Sequence, residues 1–132
     1  MTKILIVEDD SEQLAGLAKI LRGAFPDDEI LLAASLAEAK VKLDAVRSVS
    51  LVLTDYKLTD GTGYELLQHC NEVLINTPVI LMTAYGQAES EEIRAALSFQ
   101  KGAFDFIDKP IQDFPQLIER IKHALRIAEA LA

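Results

Sequence analysis

Only one cysteine, Cys70, occurs in the 132 residues, so the chain can form no internal disulfide and has no CxxC pair for a metal or redox couple. Basic residues are scarce too: 13 Lys and Arg stand against 21 Asp and Glu, for a formal charge of -8. A surface biased this way repels phosphate backbones and anionic lipid, which disfavours non-specific binding to nucleic acid or membrane. Long apolar runs are absent. None approaches the roughly 20 residues of a membrane span, and the N-terminal Met1-Thr-Lys-Ile-Leu-Ile-Val turns acidic at Glu8 rather than continuing as a signal peptide. These absences fit a reducing compartment and make the cytoplasm the expected location. What the chain does have is apolar residues, half of the total, in the length of one domain. That suffices for a sizeable core over residues 1–132 and leaves no room for a second folded domain.

Short apolar runs alternate with longer segments of helical period. The runs are Ile4 to Val7, Ile30 to Ala34, Leu51 to Leu53 and Val79 to Met82, with a fifth, interrupted by Asp105, from Phe104 to Ile107. Their Val, Ile and Leu content suits parallel strands covered on both faces. Between them, Leu14, Leu17, Ala18 and Leu21 make a helical stripe after the candidate caps Asp10 and Ser11. Ser35 and Glu38 have capping-box spacing before Leu36, Ala39 and Leu43. Leu66, Leu67, Cys70 and Leu74 form a third stripe, in which Cys70 reads as a small buried apolar residue. A fourth helix is expected over Ser90 to Lys101, ending at Gly102, and a last one from Asp113, with Pro115 in its first turn and Leu117, Ile118, Ile121, Leu125 and Ala128 along one side. Five strands alternating with five helices predict an α/β fold with a doubly wound parallel sheet.

In such folds the ligand site lies beyond the carboxyl ends of the strands. Those ends carry Glu8, Asp9 and Asp10, then Asp55, then Thr83 with Ala84, then Lys109 with Pro110. Each has a plainer explanation taken singly: a helix cap, a turn, a strand threonine, a loop. Together they put acids, a hydroxyl and one ammonium on a single edge. Glu8, Asp9 and Asp55 would repel one another unless a cation joined them, and an oxygen-only ligand set suits Mg2+. Mg2+ with the Lys109 ammonium would let a phosphoryl group approach, Asp55 acting as nucleophile to give an aspartyl phosphate and Thr83 stabilising the phosphoryl oxygens.

Competing motifs are missing. Gly61-Thr-Gly63 lacks the third glycine of a dinucleotide fingerprint and reads as a turn before the third helix. Asp55-Tyr-Lys57 lacks the second aspartate of the DxD phosphatases, and there is neither a GxxxxGK[ST] loop nor a GxSxG elbow. His69 and His123 fall on helical segments away from the strand ends, with no Ser or Cys placed for a triad.

Four segments, ILIVEDD, LVLTDYKLTDGTGYELL, VILMTAYG and GAFDFIDKP, occur in an order and spacing that resembles the receiver domain of bacterial two-component response regulators, the CheY-like domain, most closely receivers of the NtrC type. The resemblance covers essentially the whole chain. It implies the flavodoxin-like strand order 2-1-3-4-5. Residue by residue, it makes Asp9 a direct Mg2+ ligand, Glu8 a ligand through water, Asp55 the phosphoacceptor and a second ligand, and the Lys57 backbone carbonyl a third. Thr83 and Lys109 become the phosphoryl-binding pair. Lys57 and Tyr85 match positions that tune dephosphorylation, Phe106 matches the aromatic switch, and Gly86 and Gly102 match loop and helix-end glycines. On this pattern Thr83 moves toward the phosphoryl oxygens and the Phe106 ring turns into the vacated space, a shift between two packings.

Two departures from the pattern stand out. Thr59 replaces a frequent proline, and Lys109 stands 26 positions after Thr83, about four more than usual, an excess close to one helical turn of about 3.6 residues. The extra length falls within Gln87 to Lys101, on the face that many receivers use for dimerisation or output. The expected function is phosphoryl transfer from a sensor histidine kinase to Asp55, switching the surface of the fourth helix, fifth strand and fifth helix to control an output domain or partner, with homodimerisation on phosphorylation as a further expectation. The domain itself would be no enzyme beyond assisting its own phosphorylation and dephosphorylation. The last helix would suit a linker, making residues 1–132 the N-terminal part of a longer transcription regulator. Two other readings stay open: a stand-alone receiver or phosphorelay intermediate, and a hydrolase of small phosphoesters.

Overall fold

The computed structural model describes residues 2–46, 48–73, 76–84 and 102–131. The chain runs β1 (Lys3–Val7), α1 (Ser11–Ala24), β2 (Glu29–Ala33), α2 (Leu36–Ala45), β3 (Leu51–Asp55), β4 (Lys57–Leu58), β5 (Gly61–Thr62), α3 (Gly63–Val73), β6 (Val79–Ala84), β7 (Ala103–Lys109) and a C-terminal helix (Phe114–Leu131). Five strands form a parallel sheet in the order β2-β1-β3-β6-β7, which is the expected 2-1-3-4-5 when only the sheet strands are counted. The two-residue strands β4 and β5 pair as a small antiparallel ribbon directly after β3. Four helices occur among the described residues. The expected helix over Ser90 to Lys101 lies outside them, as do Leu74, Tyr85 and Gly86. No helix among the described residues is long and apolar enough to cross a membrane.

Strand side chains alternate between two cores, as the period of two requires. Leu5, Val7, Val52 and Leu81 pack with Leu36, Ala39 and Leu43 of α2 and Leu66, Leu67 and Cys70 of α3. Ile4, Ile6, Leu53, Ile80 and Met82 face the other way, against Leu17 and Leu21 of α1 and Leu117, Ile121 and Ala124 of the C-terminal helix. The helices begin where their caps predict. The Asp10 carboxylate accepts from the amides of Glu12 and Gln13, both at 3.0 Å. Ser35 Oγ accepts from the Glu38 amide at 3.1 Å, while the Glu38 carboxylate reaches one residue further back than a capping box, to the Ala34 amide. Asp113 accepts from the Gln116 amide at 2.9 Å.

Three strands extend two residues beyond the expected apolar runs, to Asp55, Ala84 and Lys109. Hydrophobic patterning stops where the polar residues start, but ladder hydrogen bonds are made by the backbone and continue past that point. The last strand, β7, expected over four residues, has seven. Its register against β6 passes from Val79↔Ala103 to Ile80↔Asp105, leaving Phe104 as an extra residue. This bulge reverses the alternation: Ala103 and Phe106 pack toward the α2/α3 core, and Phe104 and Ile107 toward the α1 core.

Cys70 is buried in the α2/α3 core, and burial pushes its thiol up to about 12 from an ordinary 9.0. Its raised value supplies stability that is complete below the unfolded value and is lost as pH rises from about 9 toward about 12. At pH 8 the native protein should therefore leave a thiol reagent unreacted over the time in which the urea-unfolded chain reacts fully. Equal rates in the two states would refute this burial.

Candidate functional site

The sheet register aligns the strand ends. Val7 pairs with Thr54, Asp55 with Met82 and Ala84 with Lys109, so Glu8, Asp9, Asp55, Thr83 and Lys109 gather at one edge. Glu8 is fixed from several sides. Its amide donates to the Ala33 carbonyl of β2 at 3.1 Å, and its carboxylate accepts from the Asp10 amide at 3.2 Å and from Lys109 Nζ at 2.7 Å. Only 1% of its surface is exposed. Lys109 also donates to Asp55 Oδ2 at 3.2 Å, so one ammonium bridges two carboxylates. Asp9 completes the acidic group: one oxygen each from Glu8, Asp9 and Asp55 lie within 4.8 Å of one another. Asp10 takes no part and caps α1, as expected.

The electrostatics follow from this crowding. Burial raises the Glu8 carboxyl above its ordinary value, and the bond from Lys109 only partly offsets the rise. Asp55 is raised too, first by burial and further by Asp9, against the opposing Lys109 charge. For Lys109, burial alone would depress the ammonium, but Glu8 and Asp55 more than compensate and hold it above the usual lysine range. The result is a group of three acids, Glu8 and Asp55 buried and Asp9 partly exposed, with one base, short of positive charge. Thr83 is fully buried, and its hydroxyl has no hydrogen-bond partner among the described residues. A buried, unpaired hydroxyl is costly unless a ligand uses it.

The loop after β3 is held tightly. The Tyr56 amide donates to the Met82 carbonyl at 2.7 Å, the Gly63 amide donates to the Tyr56 carbonyl at 2.6 Å, and Lys57 pairs with Thr62. A Cβ on Gly63 would sit 2.6 Å from the Asp55 carbonyl oxygen and 3.1 Å from Tyr56 Cα, both backbone atoms. Gly63→Ala should therefore displace the backbone at Asp55 and cost about 2 kcal/mol of stability in urea unfolding. An unchanged midpoint would show that the loop yields freely. Gly61-Thr-Gly63, expected as a plain turn, thus contains the returning strand β5 and the first residue of α3.

This is an oxygen-lined acidic pocket with one bridging lysine at the switch point of a doubly wound sheet, and residues 4–122 match the model of the response regulator receiver domain. The chain belongs to that family. Among its relatives, the receiver is 36% identical over 125 residues to the response regulator protein PilR of Pseudomonas aeruginosa, spanning 95% of this chain and 26% of PilR. It is also 36% identical over 126 residues to a CpxR homolog of Haemophilus influenzae, a transcriptional regulatory protein, spanning 96% of this chain and 51% of that one. The receiver thus covers about a quarter and about half of these relatives. A CheY-like receiver domain protein from Methanospirillum hungatei superposes with a TM-score of 0.87 at 32% identity, covering 100% and 99% of the two chains.

Phe106 of the receiver is half-buried against the α2/α3 core. Its amide donates to Asp105 Oδ1 at 2.7 Å, and its carbonyl accepts from Arg120 of the C-terminal helix at 3.0 Å. Lys57 has an exposed side chain in β4. Beside Asp55 and Lys109 opens a cavity of about 710 Å³ walled by Leu17, Ile20, Ile111 and Phe114. His69 lies 3.0 Å from Asp44, and His123 is exposed beside the Phe104 ring, both apart from the acidic pocket. Sequence reading gave no role to Arg120 or Asp60. Arg120 stands on a helical face with no motif to mark it, while Asp60 before Gly61 carried only an ordinary turn signal.

Proposed function

We propose that the receiver takes a phosphoryl group from the phosphohistidine of a sensor histidine kinase onto Asp55, in a Mg2+-dependent reaction. The observation that carries this reading is the bridging of Glu8 and Asp55 by Lys109 within a cluster of three carboxylates. Glu8, Asp9, Asp55 and the Lys57 carbonyl would hold the cation. All of these donors are oxygens, and the surplus negative charge and a Thr83 hydroxyl without a partner among the described residues suit a hard cation with a phosphoryl group beside it. When bound, Mg2+ supplies positive charge against the phosphoryl oxygens.

An Asp55 carboxylate oxygen attacks phosphorus. The new O–P bond forms as the N–P bond to the kinase imidazole breaks, and the electron pair of that bond leaves with the imidazole nitrogen, which then takes a proton. Lys109 is held beside Asp55, where its ammonium can pair with the phosphoryl group, and the Thr83 hydroxyl can donate to another oxygen. The apolar cavity walled by Leu17, Ile20, Ile111 and Phe114 gives the phosphodonor protein a surface to pack on next to the acceptor.

The response follows from the same residues. Movement of Thr83 toward the phosphoryl group and rotation of Phe106 would shift the surface that includes β7 and the C-terminal helix, controlling an output domain or a partner, homodimerisation included. Lys57 and Tyr85 would tune the dephosphorylation rate. The PilR and CpxR relatives extend well beyond the matched region and the CpxR homolog is a transcriptional regulatory protein, which supports output through a linked domain in transcription control; the cytoplasm is the location proposed with it. Incubation with acetyl phosphate and Mg2+, followed by intact-mass measurement, should give one phosphoryl adduct that is labile at alkaline pH and absent in EDTA. Continuous turnover of a phosphoester pool without an adduct would instead indicate a hydrolase.

A further inference from the structure

We propose that Asp60 is a positioning residue for the cation site, its carboxylate tying the loop that carries Lys57 to the first turn of α2 so that cation binding and the order of that turn are linked. The inference rests on the reading of the Lys57 carbonyl as a ligand. Asp60 lies between β4 and β5, and its two oxygens are used one each: Oδ1 accepts from the Leu36 amide at 2.8 Å and Oδ2 from the Ala37 amide at 3.0 Å. These are the first two residues of α2, whose amides have no acceptor within the helix. The other cap of this turn, Ser35, serves a different amide, that of Glu38. Asp60 is thus an acceptor brought to α2 from a loop more than 20 residues away.

A second contact joins the same two elements independently. A Cβ on Gly61 would collide with the Leu36 side chain, which is itself buried in the α2/α3 core. The loop therefore touches α2 through Asp60 and through the bare backbone of Gly61. At its other end the loop is closed by the Lys57↔Thr62 pairing and by the bond from the Gly63 amide to the Tyr56 carbonyl. It is a small unit braced at both sides, so the position of Asp60 bears on where the Lys57 carbonyl can stand. The two amides also hold the Asp60 carboxyl below its ordinary range, which keeps the clamp ionised at neutral pH.

Linkage makes the effect reciprocal: whatever factor the clamp adds to cation affinity, the cation adds to the clamp. The test is a Mg2+ titration followed by backbone-amide NMR on the wild-type chain and on Asp60→Ala, Asp60→Asn and Ser35→Ala, each shown to be folded by circular dichroism. Asp60→Ala should raise the Mg2+ dissociation constant about fivefold or more, whereas Ser35→Ala, which frays the same turn without touching the loop, should leave it within about twofold. Asp60→Asn keeps one good acceptor and should fall between. In the wild type, Mg2+ should also slow hydrogen exchange at Leu36 and Ala37, and in Asp60→Ala it should not. Equal affinity in wild type and Asp60→Ala would overturn the inference, and so would an equal loss in Ser35→Ala. Absence of Mg2+ binding by the wild type would overturn the cation reading beneath it.

Discussion

Asp55→Asn should take up no phosphoryl group from acetyl phosphate and Mg2+ under conditions in which the wild-type chain gains one. The expected loss is complete, because the amide oxygen lacks the charge and the lone-pair reactivity of a carboxylate. Glu8 is 1% exposed and its oxygens are occupied by Lys109 and the Asp10 amide, so it is not free to attack. An adduct of unchanged yield in Asp55→Asn would sink the assignment of the acceptor. The substitution should leave the fold intact, since it removes one of three mutually repelling acids. A sign can be given for pH as well. Glu8 and Asp55 are both raised in the folded state, so their contribution to stability is complete below the unfolded carboxylate range and declines as pH rises through their folded values. Metal-free wild type should therefore gain stability on mild acidification above that range, and Asp55→Asn should show a shallower gain. An identical slope in both proteins would mean that Asp55 is not raised by its surroundings.

Lys109→Ala should destabilise the metal-free protein strongly and abolish its conformational response to phosphorylation. The ammonium is the positive partner of both Glu8 and Asp55, and its side chain is 16% exposed. Removing one member of a buried ion pair leaves the other uncompensated, at a cost of about 3 kcal/mol, lessened here to the extent that Glu8 takes up a proton. Mg2+ should restore much of this loss, because a cation at the same carboxylates replaces the missing charge. Affinity for Mg2+ should be retained or increased, since Lys109 competes for the oxygens that would bind the metal. The measurement is a pair of urea unfolding curves for each protein, in EDTA and in saturating Mg2+. A loss in EDTA of the same size as in Mg2+ would show that Lys109 acts by packing rather than by charge. Lys122→Ala, at an exposed position of the C-terminal helix, serves as the neutral control.

Much of the architecture could be read from the chain because its signals are local. The alternation of β-branched and leucine runs with helical stripes predicts the parallel sheet, and Asp10, Ser35 and Asp113 mark helix starts by chemistry that acts within three residues. The candidate site was legible for a different reason. In a doubly wound sheet every strand points the same way, so residues ending the apolar runs must share an edge, and Glu8, Asp9, Asp55, Thr83 and Lys109 do. What could not be read depends on pairing between distant segments. The bulge at Phe104 leaves no trace in the pattern of Ala103 to Lys109, yet it decides which core Phe106 faces. Asp60 looks like a turn residue until α2 is placed beside it.

The single cysteine, the scarcity of bases and the want of long apolar runs limited what the chain could be, and local patterns then set the fold class, the edge on which chemistry gathers and the residue types available there. The folded molecule adds that Lys109 bridges Glu8 with Asp55, that the Thr83 hydroxyl has no partner among the described residues, and that the acceptor loop is pinned to α2. The physical reason is range: caps and periodicity act over one or two helical turns, whereas these contacts join residues 24 to 101 positions apart and exist only once the sheet register is set.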